Sequence, residues 1–174
     1  MKKKLYIFLL INLIGGIAVL GSYIYGLSTQ LELRGLLWGH VPETIRPYYT
    51  ICMVLAAIGY FFFTPYIIKH IFNTKSVSYN PNIISLLYLG ITIPSALWMP
   101  MTFEMLINPS ISLWIGIRII LFTVGISSTV LMLIFLFSNI KKVSPMYFMA
   151  ISGLIPFWIQ TMILDAIIWP FYFK

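Results

Sequence analysis

Ile93-Pro94-Ser95-Ala96-Leu97-Trp98-Met99-Pro100-Met101-Thr102-Phe103-Glu104 is apolar enough to lie in lipid, yet it holds two prolines, a Trp and a terminal carboxylate. In a helix surrounded by water, an internal proline costs about 3 kcal/mol. In a membrane helix it is tolerated where neighbouring helices and hydroxyl side chains take up the freed backbone groups. The stretch therefore reads as part of a transmembrane helix, broken near Trp98 at a point where other helices converge. On this stretch alone, the usual frequency of intramembrane Pro favours the plainer reading, a merely kinked packing helix.

Composition extends that reading to the whole chain. Of 174 residues, 60% are hydrophobic and 9% charged, and the mean hydropathy is +0.97. A water-soluble domain of this size has no use for so much apolar surface, so the class is polytopic membrane protein. The net charge of +7 is concentrated in Lys2, Lys3, Lys4, Lys69, Lys75, Lys141 and Lys142, at the ends of apolar runs. Charge in those places is topology signal and contact with membrane lipid, and it excludes a nucleic-acid footprint. The single Cys52 lies inside an apolar run, so no intrachain disulfide can form. No internal repeat is present.

In chain order, the spacing of apolar runs predicts helices over about 5–25, 48–68, 83–103, 111–137 and 146–169, in a single transmembrane domain covering 1–174. The expected fold is all-α, a bundle of five transmembrane helices. The first run follows three lysines and could serve as a cleaved signal peptide; its length favours a retained helix. The connection 26–47 is the one long polar stretch, with Glu32, Arg34, Trp38, His40, Glu43 and Arg46, and long connections are disproportionately functional. His40 is a candidate ligand or proton acceptor there, against the plainer reading of a solvated side chain. The lysine-rich ends place the N-terminus inside by the positive-inside rule. The long loop and the C-terminus, with only Arg34, Arg46 and Lys174, then lie outside.

Charge within a membrane helix costs about 2.5–3.5 kcal/mol at mid-bilayer on insertion scales and marks functional candidates. Two such residues occur, Arg118 and Asp165. Arg118 lies about 10 Å along its helix from the outer end, and Asp165 about 8 Å from the same face. Matched depth and opposite sign predict a structural ion pair, with Glu104 as the competing partner if Arg118 snorkels outward. Trp98, Trp114 and Trp169 fall in the same outer half, Trp38 in the loop above, and Trp158 near the middle. Helical spacing puts Trp158, Met162, Asp165 and Trp169 on one face of the fifth helix. Trp114, Arg118, Leu121, Gly125 and Ser128 share one face of the fourth. The two stripes would face each other across a cavity beneath the long loop, or pack directly with the ion pair between them.

This arrangement resembles the TspO/MBR family, the tryptophan-rich sensory proteins that include the translocator protein (peripheral benzodiazepine receptor). Ser95, Trp98, Pro100 and Phe103 resemble that family's third-helix pattern of Asn, Trp, Pro and aromatics. Ala57-Ile58-Gly59-Tyr60 is similar to its Ala-Met-Gly-Tyr. Trp158, Leu164-Asp165 and Trp169 resemble its fifth-helix Trp, Leu-Asn and Trp. Ser95 and Asp165 stand where the family has Asn. The resemblance runs through helices two to five in order. It implies a hydrophobic small-molecule ligand of the porphyrin (tetrapyrrole) or sterol class, held by Trp38, Trp98, Pro100, Trp114, Trp158, Asp165 and Trp169, and it allows a homodimer. The alternative is a helix-packing subunit of a larger membrane complex. With no His-rich set, no Ser/His or Cys/His arrangement and no phosphate-cradling Gly loop, neither enzymatic activity nor a cofactor nor a metal is expected.

Overall fold

A computed structural model describes residues 2–72, 80–137 and 144–173. The chain folds as an all-helical bundle with no strand among the described residues, and five helices are long and apolar enough to cross a membrane. It is a multi-pass integral membrane protein. The helices are α1 (Lys2–Thr29), α2 (Arg46–Ile67), α3 (Pro81–Ile107), α4 (Ile111–Phe137) and α5 (Pro145–Trp158). A π-helical turn, Ile68–Phe72, prolongs α2. A longer π-helical segment, Ile159–Ile168, and a last turn, Trp169–Tyr172, prolong α5. Lys75, Lys141, Lys142 and Lys174, which the orientation argument uses, lie outside the described residues.

Sequence chemistry explains the ends. Asn80 caps α3 by accepting from Asn82 N–H at 3.0 Å, and Ser144 caps α5 by accepting from Tyr147 N–H at 3.1 Å. Each is followed by a proline in the first helical turn, where a missing N–H is harmless. α1 runs on to Thr29, so the connection is shorter than the expected 26–47 and contains a 3₁₀ turn at Arg34–Trp38.

Of the two readings of the Trp98 stretch, a broken helix and a packing helix, the structure shows no break. Pro94 and Pro100 both lie inside one continuous α3. The hydroxyls of Thr92 and Thr102 bond back within it to Tyr88 O and Trp98 O, and α3 packs against both α1 and α4. The irregularity sits in the fifth span instead, just after Pro156.

Packing runs as an open ring. α2 lies against α5, α5 and its π segment against α4, α4 against α3, and α3 against α1. The ring does not close, since α1 and α2 scarcely meet. Tyr60 O–H bridges them by donating to Asn12 Oδ1 at 2.8 Å. The tightest crossing is α2 on α5: a Cβ added at Gly59 would collide with the Gly153 backbone, and one at Gly153 would lie 2.7 Å from Gly59 Cα. Small residues permit this approach where lipid offers no hydrophobic drive between helices.

Two cores result. The half away from the long loop is an aromatic block including Phe8, Phe63, Tyr66, Phe72, Tyr88, Phe135 and Phe157. The loop-side half gathers Val41, Tyr49, Ile117, Leu121, Ala166, Trp169 and Phe173. The loop docks on this second core through His40 N–H to Tyr172 O at 2.7 Å and Trp169 Nε1 to Leu37 O at 2.9 Å. Gly39 makes the turn possible: its φ is +55°, and a Cβ there would strike the Tyr172 carbonyl.

Candidate functional site

Between the two cores, where α1 and α2 part, lies a cavity of about 450 Å³. Its walls come from every span: Val19, Leu20 and Tyr23 of α1, Thr50, Met53 and Ala57 of α2, Pro94, Ser95 and Trp98 of α3, Leu121 and Val124 of α4, and Phe157, Gln160, Thr161 and Asp165 of the fifth. A second hollow of about 400 Å³ shares the walls Val19, Leu20, Ala57, Ser95 and Phe157, and runs on toward Asn12, Tyr60 and Thr92. Together they form a groove along the α1–α2 gap, within the size range of small-molecule sites. No residue of the connection between α1 and α2 lines either one.

The lining is mostly apolar, and its one acidic side chain lies at one end. There Gln160 Nε2 donates to Asp165 Oδ1 at 2.7 Å. The bond follows from the π geometry, in which residues five apart stack one turn above another. In an unbroken α-helix, Gln160 and Asp165 would point in different directions. Thr161 Oγ1 is bonded to Phe157 O at 2.9 Å and lies 2.7 Å from Ser128 Oγ, which fixes the segment against α4. Gly125 lies beneath it, and a Cβ there would come 3.1 Å from Met162 Cα. Two buried polar atoms near this end have no hydrogen-bond partner, Gln160 Oε1 and Trp98 Nε1. In a native interior such atoms mark either a cost or a missing partner.

The expected site residues separate into three groups. Trp98 and Asp165 line the cavity. Trp38, Trp114 and Trp169 do not; they belong to the packed loop-side core. There Trp169 stacks on Phe173 at 4.3 Å and meets Trp98 edge-on at 5.7 Å, while Trp38 meets Tyr49 at 6.1 Å. Trp158 and Pro100 lie elsewhere. Trp158 Nε1 donates to Thr129 Oγ1 at 2.9 Å across to α4, and Pro100 is on the exposed side of α3. The site is thus a lateral groove, not a chamber beneath the loop. Space under the loop is filled by side chains of the second core. His40 there bonds through Nδ1 to Tyr172 O at 3.1 Å, a structural contact between the loop and the chain's end.

The ion pair is a correction. Among the described residues the only charged pair within 4.0 Å is Glu43–Arg46, at 3.6 Å on the loop. Arg118 pairs with neither Asp165 nor Glu104. Ile117 and Leu121 turn inward from α4, so Arg118 falls on the flank, in a shallow groove with Trp114, Ile119 and Phe122. Its guanidinium lies 5.8 Å from the Trp114 ring and 5.4 Å from the Phe122 ring, a cation–π arrangement. Glu104 is exposed and accepts from Asn108 Nδ2 at 2.8 Å. Equal depth does not imply equal azimuth, and azimuth decides the pairing. The expectation that α3, α4 and the fifth span converge is met, through Trp98, Trp114 and Trp169.

Sequence reasoning passed over Gln160, Thr161, Tyr23 and Phe157. Gln160 carried a usable signal, as a polar side chain within an apolar run close to Asp165. No family model, no curated protein and no solved structure matches this chain.

Proposed function

We propose that this protein binds a hydrophobic, largely planar small molecule in the lateral groove, as a TspO-like sensor or transport-related membrane protein and not as an enzyme. The observation that carries the reading is the cavity of about 450 Å³, walled by Trp98 and Phe157 and ending at Asp165. Indole and phenyl faces bury large apolar area against a flat ligand, with about 0.5–1.5 kcal/mol per aromatic contact beyond burial. Two or three such contacts within apolar walls are enough for micromolar affinity, about −8 kcal/mol. The gap between α1 and α2 gives a ligand dissolved in lipid a path that bypasses the loop. Tetrapyrroles and sterols are the ligand classes that the family resemblance implies. In the membrane the lysine-rich end, with the N-terminus, is proposed to face inside, and the long loop outside.

The test is a titration of purified protein with protoporphyrin IX and with a fluorescent sterol, side by side, read by Trp emission. Binding should quench emission with a micromolar midpoint, and Trp98→Leu should remove most of that quenching. Failure of both ligands in folded protein would contradict the reading. One observation favours a second reading, a helix-packing subunit of a larger complex: the loop-side half is closed by packed aromatic side chains. That reading predicts no saturable ligand binding and stable co-purification with a second membrane protein.

A further inference from the structure

The polar end of the groove is specific about what it accepts. Asp165 lines the cavity and supplies a carboxylate. Gln160, only 5% exposed, turns its amide nitrogen to that carboxylate, which leaves Oε1 buried and without a partner. No described Lys, Arg or His lies within 4.0 Å of Asp165, and the other intramembrane charge, Arg118, is committed to the rings of Trp114 and Phe122. The groove therefore ends in a carboxylate with no described cation to answer it, and the Gln160 amide that meets it has its oxygen buried in the wall behind. A carboxylate in an apolar wall is costly unless a positive charge or strong donors compensate it.

Resting on the ligand-binding reading above, we infer that the ligand is an amphipathic amine: an apolar, flat body along Val19, Leu20 and Phe157, and an ammonium seated on Asp165. An ammonium offers donors and no acceptor, which matches the Asp165 carboxylate. Hydrogen bonds between ions are stronger than neutral ones, and more so with water excluded. Trp98 and Tyr23, with rings 5.8 Å apart on the cavity wall, add aromatic faces for a cation. A neutral alcohol of the same shape would fill the same volume without compensating the carboxylate, and an acid would be repelled by it.

Three probes with one body separate these cases: 1-pyrenemethylamine, 1-pyrenemethanol and 1-pyrenecarboxylic acid, titrated into the full chain in lipid nanodiscs, with protein-free nanodiscs as the partition baseline. The amine should bind at least about tenfold more tightly than the alcohol, and the acid most weakly. Asp165→Asn should remove the preference, bringing the amine to the affinity of the alcohol on the same variant. Equal affinity of amine and alcohol for the native chain would overturn the amine inference while leaving the groove a ligand site. No saturable binding of any probe would overturn both. If Asp165→Asn also loses the alcohol through misfolding, the order of the three probes on the native chain decides the matter by itself.

Discussion

Trp98 and Trp158 are alike in the sequence and unlike in the fold, and their substitution should separate binding from stability. Trp98 lines the groove, its Nε1 buried and unpartnered, whereas Trp158 spends its Nε1 on Thr129 of α4. Trp98→Leu should weaken ligand affinity by about tenfold, the loss of about 1.4 kcal/mol of aromatic contact, with little change in thermal stability. Trp158→Phe should leave affinity nearly unchanged and lower stability by about 0.6–2 kcal/mol, the range for a hydrogen bond between helices in a membrane. Thermal unfolding and Trp-emission titration of both variants measure the two effects. Arg118 gives a second residue-scale test. Because it is paired only with aromatic rings, Arg118→Leu should cost no more than about 2 kcal/mol. A loss of about 3–5 kcal/mol would mean that a buried carboxylate had been stranded. The charges themselves were legible in the sequence. Their pairing was not, since matched depth leaves the angle around α4 undetermined, and Ile117 and Leu121 occupy the inward angle.

At the scale of elements, the crossing of α2 on α5 rests on the absence of side chains. Gly59 and Gly153 leave no room for a Cβ between the two backbones. Gly59→Val should therefore force the helices apart and destabilise the protein by about 1–3 kcal/mol or more, as overpacking does. Gly16→Val, with open space around its Cβ position, should be close to neutral. A matched pair of melting curves in the same detergent checks this contrast. Gly59 stood out beforehand in the Ala57-Ile58-Gly59-Tyr60 stretch of the second helix; its partner did not, because a pattern within one helix says nothing about the neighbour. The spans themselves were readable from apolar length, to within a few residues at most ends. What the sequence hid was the π segment. An α-helical period groups Asp165 with Trp158 and Trp169, whereas the wider turn groups it with Gln160 and sends the two Trp side chains to α4 and to the loop. No composition rule signals a π turn, and Pro94 and Pro100 drew attention to α3, which stays continuous.

The whole molecule is a ring of helices left open on one side, with a packed core at each end and a groove between. That shape explains why the long loop is not the lid of the site. It closes the end of the bundle through Gly39, His40 and Trp38, while the groove lies between α1 and α2. Five spans follow from apolar length alone; the gap does not, because it depends on which helices pack together, and α1 is so uniformly apolar that its sequence names no preferred neighbour. Ala57 stands at the junction of the cavity and its neighbouring hollow, exposed on α2 and clear of the Gly59 crossing. A larger side chain there fills the groove without entering either core. The most direct test of a lateral ligand site is therefore titration of the native chain and of Ala57→Phe with the ligand that quenches Trp emission, with helical content and melting temperature measured alongside. The groove account predicts a loss of affinity of about tenfold or more in Ala57→Phe, with fold and melting temperature retained. Unchanged affinity in a folded Ala57→Phe protein would contradict it.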